Sequence, residues 1–441
     1  MSANNNVNFS VAPGGTLQGS LRVPGDKSIS HRSIMLGSLA DGVTEVSGFL
    51  QGEDNLATLN AFRAMGVSID GPDDGKVIIQ GVGMDGLKAP AAPLELGNSG
   101  TSMRLLSGLL SAQAFDSVLT GDASLSTRPM RRVTEPLMQM GAEVETTVAG
   151  TPPLKCHGGR ALKGFDYAMP VASAQVKSCL LLAGLYAIGK TCVIEPAPTR
   201  DHTERMLQGF GYPVEVDGNR ICVEGGGSLT ATNIDIPADI SSAAFFLVGA
   251  SICPGADLLL EHVGINPTRD GVISILKLMG ADIQLLNSRQ IGGEPVADIR
   301  VRYAPLKGII IPEAQVPLAI DEFPALFIAA ACAEGETTLS GARELRVKES
   351  DRIQVMADGL QTLGVNALPT EEGMVIQGGK KIAGGRVRSH GDHRIAMSFA
   401  MASLRASAPI EIEGCANVNT SFPDFVALAA GVGLNIKQVS T

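Results

Sequence analysis

The sequence predicts a mixed α/β protein built from six β-α-β-α-β-β units. A short signature, glycine flanked by apolar residues, recurs six times along the 441 residues at intervals of 69–84. Each copy closes an amphipathic segment and precedes a strand-like one. Upstream of each lies a second helix start built from small and polar residues. Glycine is abundant, at 52 residues, but chance recurrence does not bring both flanking patterns with it six times.

The six signatures are Met65-Gly66-Val67, Met140-Gly141-Ala142, Phe210-Gly211-Tyr212, Met279-Gly280-Ala281, Leu363-Gly364-Val365 and Val432-Gly433-Leu434. A glycine just past an amphipathic run is the usual helix C′ residue, because it takes up the left-handed conformation without a Cβ penalty. Extended segments are expected after it at Val67–Ile69, Glu143–Thr147, Pro213–Val216, Asp282–Leu285 and Asn366–Leu368. The other helix of each unit begins at Asp26–Arg32, Asn98–Arg104, Ser173–Ser178, Asp239–Ala244, Asp321–Ala325 and Asp392–Met397. Strand-turn-strand links such as Val77–Gly81, Ile221–Gly225 and Val375–Gly378 join one unit to the next. No long flexible linker interrupts the chain. The units divide three and three, with Pro237 marking the crossover.

Composition narrows the function. An apolar content of 44% with 18% charged residues fits an ordinary soluble protein. Thirty-five basic against 45 acidic residues give a net charge of −10, and there are no Trp and four Tyr. That surface repels nucleic acid and anionic membranes and offers little for base stacking. Seven scattered cysteines without a C-x-x-C, and six histidines without an H-E-x-x-H, point to neither a disulfide framework nor a metal site. The first residues lack the basic and apolar regions of a leader. The apolar stretches Cys179–Ile188 and Ala243–Cys253 fall short of a membrane span. A cytoplasmic protein is expected.

Chemistry gathers at the helix starts. In Pro24–Ser33, Lys27 and His31 are four residues apart, as are Ser28 and Arg32, so each pair shares a helical face over free backbone N–H groups. This suits a phosphate or carboxylate; a solvated basic end balanced by Asp26 is the alternative. In Leu96–Arg104, Gly97 and Gly100 allow a ligand near the backbone and Thr101 or Ser102 can donate to it, although a capped helix fits equally. Neither a P-loop nor a G-x-G-x-x-G is present. Arg128 precedes Pro129, which suits a first helical turn, leaving Arg128 at an N-terminus where the dipole gives a cation nothing. Ser173-Ala174-Gln175 opens another helix, and Arg200 stands just outside one that Asp201 and Glu204 can cap. Asp321 precedes the apolar Ala325–Ala333 as helix cap or general base. Lys348 and Arg352 are four apart with Glu349 between them, an exposed ion-paired helix or a site. Asp392-His393-Arg394 again sets a cation at a helix start. The dipole alone would place carboxylates at these ends. An anionic ligand reconciles the pattern.

Taken in order across essentially the whole chain, Pro24–Ser33, Gly97–Arg104, Arg128-Pro129-Met130, Arg346–Arg352 and Asp392-His393-Arg394 resemble the 5-enolpyruvylshikimate-3-phosphate synthase family. The resemblance implies an α/β (α+β) fold, a two-domain inverse α/β barrel-like architecture of six repeats, three per domain. Residues 23–237 would hold the N-terminal three, residues 1–22 plus 238–441 the C-terminal three, with the active site in the cleft between them. It implies transfer of the enolpyruvyl group of phosphoenolpyruvate to the 5-hydroxyl of shikimate 3-phosphate, releasing phosphate. This is the sixth step of the shikimate pathway to chorismate and the aromatic amino acids. The reaction runs by addition and elimination through a tetrahedral intermediate, without metal or organic cofactor. The partners implied are these two small molecules, and the family expectation is a monomer.

Carried over by position, Lys27, Ser28 and Arg32 would bind shikimate 3-phosphate, Lys27 also reaching phosphoenolpyruvate. Ser173, Ala174 and Gln175 would line the shikimate phosphate and ring, with Arg200 on the phosphate. Gly100, Arg128, Arg352 and Arg394 would hold phosphoenolpyruvate. Arginine suits bidentate capture of phosphate or carboxylate, and lysine acts as a point charge. Asp321 resembles the base that takes the hydroxyl proton. Glu349 resembles the acid that protonates the methylene carbon; among cations, it needs a proton shared within the cluster or supplied by a neighbour. Lys348 would lie beside it on substrate or leaving group.

Three residues depart from the better-known members: Ala174 for a second serine, Thr420 for a lysine used on phosphoenolpyruvate, and Leu105 for a proline. The small Gly100 leaves room for glyphosate, the family's inhibitor, so sensitivity is expected. The related transferase acting on UDP-N-acetylglucosamine shares the repeat but is marked by a catalytic cysteine in a Gly-rich mobile loop and an early Lys-Asn pair. Here Lys27 is followed by Ser28, and no cysteine has that setting. A non-catalytic anion-binding scaffold would not need Asp321 and Glu349 beside the cations.

Overall fold

The computed structural model describes residues 7–440. The chain forms two compact units. One comprises Gly25–Ile236 with Ile291–Glu294; the other takes the chain up to Pro24, Pro237–Gln290 and everything from Pro295 onward.

The first unit contains α1 (Lys27–Leu39), α2 (Glu53–Ala64), α3 (Gly100–Leu110), α4 (Arg131–Gln139), α5 (Ala174–Gly184) and α6 (His202–Gly209). The second contains α7 (Ile240–Ile252), α8 (Gly271–Leu278), α9 (Phe323–Cys332), α10 (Arg352–Thr362), α11 (His393–Ala402) and α12 (Phe425–Gly431). All six odd-numbered helices begin where small and polar residues announce them. Each even-numbered helix is followed by its signature glycine with φ between 79° and 110°, the left-handed C′ conformation. The extended segments after these glycines form as well, for example Glu143–Glu145 and Asp282–Ile291.

Each repeat lays its helices on a small sheet. In the second repeat the strand order is Leu94–Glu95, Ser117–Thr120, Leu154–His157, Glu143–Glu145; the first pair is parallel and the rest antiparallel. The strand Lys76–Gln80 shows how the sequence selects this: Val77 and Ile79 are buried while Lys76, Ile78 and Gln80 face out. Non-local strands close the first sheet of the first unit and the first and last sheets of the second. Ile234–Asp235, at the end of the third repeat, pairs with Val43–Ser47 of the first. Val7–Gly15 enters the sheet of the sixth repeat, between Ile410–Glu413 and Leu434–Ser440, and Gln18–Leu21 joins that of the fourth. This is why the first segment of the chain belongs with its last.

The odd-numbered helices form the interior. Every residue of α7 is buried, so Ala243–Cys253 reads as uniformly apolar without being a membrane segment. Among the described residues no helix is long and apolar enough to cross a membrane. In the first unit α3 and α5 meet so closely at Gly108 that a Cβ there would lie 2.2 Å from the Cys179 carbonyl oxygen.

The cysteine expectation is corrected in one place. Cys192 and Cys222 form a disulfide. They stand directly opposite each other on the antiparallel strands Lys190–Ile194 and Arg220–Glu224. Strand register brings them together, and neither their spacing nor the odd cysteine count discloses that register.

Candidate active site

In the first unit the site residues gather at the starts of α1, α3 and α5. Asp26 caps α1, its carboxylate accepting from the Ile29 N–H at 2.9 Å. Lys27 follows, with Nζ 2.5 Å from Asp54. Arg32, one turn on, is 5% exposed. Its Nε donates to Thr203 Oγ1 at 2.7 Å, one terminal nitrogen to Ser178 Oγ at 2.7 Å and the other to the Ser28 carbonyl at 2.9 Å. Burial brings its pKa down to about 10, against the opposing charges of Glu204 and Asp26 and with that of nearby Arg200, so it stays charged at neutral pH. Its hydrogen bonds go to hydroxyl and carbonyl oxygens, which orient the guanidinium without neutralising it. An anion can do that.

The starts of α3 and α5 are tied together. Arg104 donates to Gln175 Oε1 at 2.8 Å, and Gln175 donates to Thr101 Oγ1 at 3.0 Å. Arg128 leaves its 3-10 turn to donate to Asn98 Oδ1 at 2.6 Å. Gly100 lies beneath both arginines: a Cβ there would stand 2.9 Å from an Arg104 nitrogen and 3.1 Å from an Arg128 nitrogen. Ser173 caps α5 by accepting from the Val176 N–H, and Ala174 is its first residue.

The second unit assembles a cluster of carboxylates and cations. Asp321 lies just ahead of α9; its Oδ1 is 3.2 Å from Arg352 and 3.5 Å from Lys348. Arg394, in the first turn of α11, donates to the Asp321 carbonyl at 3.0 Å. Arg352, only 1% exposed, reaches three carboxylates with three nitrogens: Asp321 through one terminal nitrogen, Glu349 at 2.6 Å through the other, and Asp392 at 2.8 Å through Nε. Burial alone would lower its pKa, but the charges of Asp392, Glu349 and Asp321 overcome that and raise it. Asp392 also caps α11, accepting from the Arg394 N–H at 3.0 Å. Thus residues scattered over seventy positions meet because α9 and α11 pack together and α10 starts beside them.

The chain matches the family described as EPSP synthase (3-phosphoshikimate 1-carboxyvinyltransferase) over residues 11–428. It is 73% identical to the 3-phosphoshikimate 1-carboxyvinyltransferase of Methylococcus capsulatus over 98% of both chains, and 70% identical to that of Alkalilimnicola ehrlichii over 98% of this chain and 97% of that one. The chain belongs to the EPSP synthase family. The EPSP synthase of Acinetobacter baumannii superposes with a TM-score of 0.90 at 63% identity, covering 98% of this chain and all of that one. The enolpyruvyl transferase NikO of Streptomyces tendae, at 15% identity and a TM-score of 0.78 over 99% of this chain and all of that one, shares the fold.

Thr420, expected to depart from the family pattern, is buried and its hydroxyl donates to the Asn417 carbonyl at 2.7 Å. It is occupied by its own turn. Two local readings are corrected. Arg346–Arg352 is not one helix: a 3-10 turn ends at Val347, Lys348 is extended, and Asp351 caps α10 so that the helix starts at Arg352. The Asp201–Glu204 capping box does not form either. Asp201 pairs with Arg205 at 2.8 Å, and Glu204 turns inward to Lys177. Arg104, Asn98 and Lys177 escaped the sequence reading. Arg104 sat in a motif read for its glycines and hydroxyls, and Lys177 looked like any polar residue of a capped helix.

His31 is fully buried, with Nδ1 2.8 Å from Thr58 Oγ1; Thr58 is 2.6 Å from Ser102 Oγ, itself 2.6 Å from Ser99 Oγ. Burial, then the charges of Lys27 and Arg32, hold its pKa well below the ordinary histidine value. Below pH ~6.5 the unfolded chain therefore binds a proton that the folded chain does not, and stability falls as pH falls. His31 alone contributes a slope of about 1.4 kcal/mol per pH unit in that range. His31→Gln should flatten the acid limb of stability against pH by that amount, read from denaturant midpoints. An unchanged slope contradicts a neutral buried His31.

Proposed function

We propose that the two clusters are the two halves of one catalytic machinery, and that each residue acts as its position in the family implies. The reaction is transfer of the enolpyruvyl group of phosphoenolpyruvate to the 5-hydroxyl of shikimate 3-phosphate. The hydroxyl oxygen bonds to C2 of phosphoenolpyruvate while Asp321 takes its proton and C3 gains one from Glu349. The tetrahedral adduct then loses a proton from C3, the bond from C2 to the phosphate oxygen breaks, and inorganic phosphate leaves. Arg32, Lys27, Ser28, Ser173, Gln175 and Arg200 hold shikimate 3-phosphate, with the Ala174 backbone beside its ring. Arg128, Arg352, Arg394 and Lys348 hold phosphoenolpyruvate over Gly100. The enzyme acts as a cytoplasmic monomer.

The observation that carries this reading is the setting of Asp321. The Asp321 carboxylate, placed by the start of α9, lies within 3.5 Å of Lys348 and Arg352, and the backbone carbonyl of the same residue accepts from Arg394. A non-catalytic anion scaffold would have no use for a carboxylate at the centre of its cations. Positioning both substrates can supply roughly 7–11 kcal/mol of the barrier, and acid-base groups a further ~10²–10⁴-fold in rate.

The test is phosphate release. The purified enzyme should release phosphate only when both substrates are present, and glyphosate should inhibit it, because Gly100 adds no side chain where Arg104 and Arg128 converge. Silence with both substrates sinks the reaction; full activity in millimolar glyphosate sinks the inhibitor assignment alone.

A further inference from the structure

Lys177 is the most completely enclosed lysine ammonium of the first unit, with 1% of its side chain exposed. It sits in the first turn of α5, two residues after Gln175 and one before Ser178. Its Nζ is 2.9 Å from Glu195 and 2.5 Å from Glu204, and donates to the Thr199 carbonyl at 3.5 Å. An ammonium has three donors, and here they reach three places: the end of the strand Lys190–Ile194, the loop that leads to Arg200, and α6. Glu195 also accepts from the Thr199 hydroxyl, so both ends of Thr199 are held within one ion-paired knot.

The knot lies directly behind residues assigned to shikimate 3-phosphate. Thr199 precedes Arg200. Glu204 follows Thr203, whose hydroxyl accepts from Arg32 and lies 2.7 Å from Ser178 Oγ, which accepts from Arg32 in turn. Burial pushes the Glu204 carboxyl up, and Lys177 opposes that. Two buried carboxylates without the lysine would repel each other and lose the bonds that fix loop and helix.

We infer that Lys177 is a positioning residue for the shikimate 3-phosphate half of the site, setting Arg200 through Thr199 and Arg32 through Glu204 and Thr203. It does not touch the substrate. The inference rests on the assignment of Arg32 and Arg200 to that substrate. A packing lysine would affect stability, whereas this one affects one substrate selectively.

The experiment measures KM for each substrate in wild type, Lys177→Met and Lys177→Met/Glu204→Gln by phosphate release, with thermal melting alongside. In Lys177→Met, KM for shikimate 3-phosphate should rise at least about tenfold, the scale of misplacing a binding group by a fraction of an ångström. KM for phosphoenolpyruvate should stay within about twofold, since the residues assigned to it are held by other bonds. The double variant removes one charge of each sign, so it should fold even where the single variant does not; it still lacks the ammonium's bonds to Thr199 and Glu195, so its KM for shikimate 3-phosphate should stay raised. A folded Lys177→Met with wild-type KM for shikimate 3-phosphate overturns the inference. So does an equal rise in both KM values, or a folded double variant with wild-type KM for shikimate 3-phosphate. If wild type itself turns over neither substrate, the assigned reaction fails instead.

Discussion

Asp321→Asn should lower kcat for phosphate release by about 10²–10⁴-fold, the range for loss of a positioned general base. The amide is isosteric and its oxygen can still accept from Arg352, so the surrounding geometry is retained while proton acceptance is lost. KM for phosphoenolpyruvate should change far less than kcat, because the amide removes a proton acceptor and leaves Lys348, Arg352 and Arg394 in place. A variant within a few-fold of wild type in kcat would remove Asp321 from the chemistry and return it to the role of a helix-start residue.

Arg352→Met should be the most destabilising single change in the second unit's site. The guanidinium is the common partner of Asp321, Glu349 and Asp392. Its removal leaves three carboxylates facing one another around a buried methionine, and breaking a buried pair of this kind costs about 3–5 kcal/mol. Arg352→Lys should recover little of it. Three nitrogens diverging from a planar fork meet three separate carboxylates, and a single ammonium cannot match those directions. Denaturant unfolding of both variants reads the effect directly. Lysine restoring the wild-type midpoint would mean that charge alone, without geometry, holds the cluster.

The fold was largely legible because it repeats. Six glycines with one conformational requirement, each behind an amphipathic helix, mark the even-numbered helices, and polar helix starts mark the odd ones. A single copy of either signal would be weak; their joint recurrence is strong. Strand pairing was less legible. Nothing local in Val7–Gly15 announces that it belongs beside Ile410–Glu413, and nothing in the spacing of Cys192 and Cys222 announces their register.

The site was legible in its cations and less so in their partners. Arg128 and Arg394 stood out because a helix N-terminus is a poor place for a cation, Arg32 because it shares a helical face with Ser28 among other cations, and Arg352 because it lies four residues from Lys348. What each one bonds to depends on packing between helices far apart in sequence, as when α6 supplies Thr203 to Arg32. Lys177 was missed for the same reason: a buried lysine and an exposed one look alike until its two glutamates are placed.

The addition-elimination route is tested most directly by running the reaction in deuterated water and examining C3 of the enolpyruvyl group in the product. If the hydroxyl adds to C2 and C3 is protonated to a methyl group before elimination, the product must carry deuterium at C3. A product free of deuterium there, formed at full rate with phosphate released, would contradict the tetrahedral intermediate and the role of Glu349 with it.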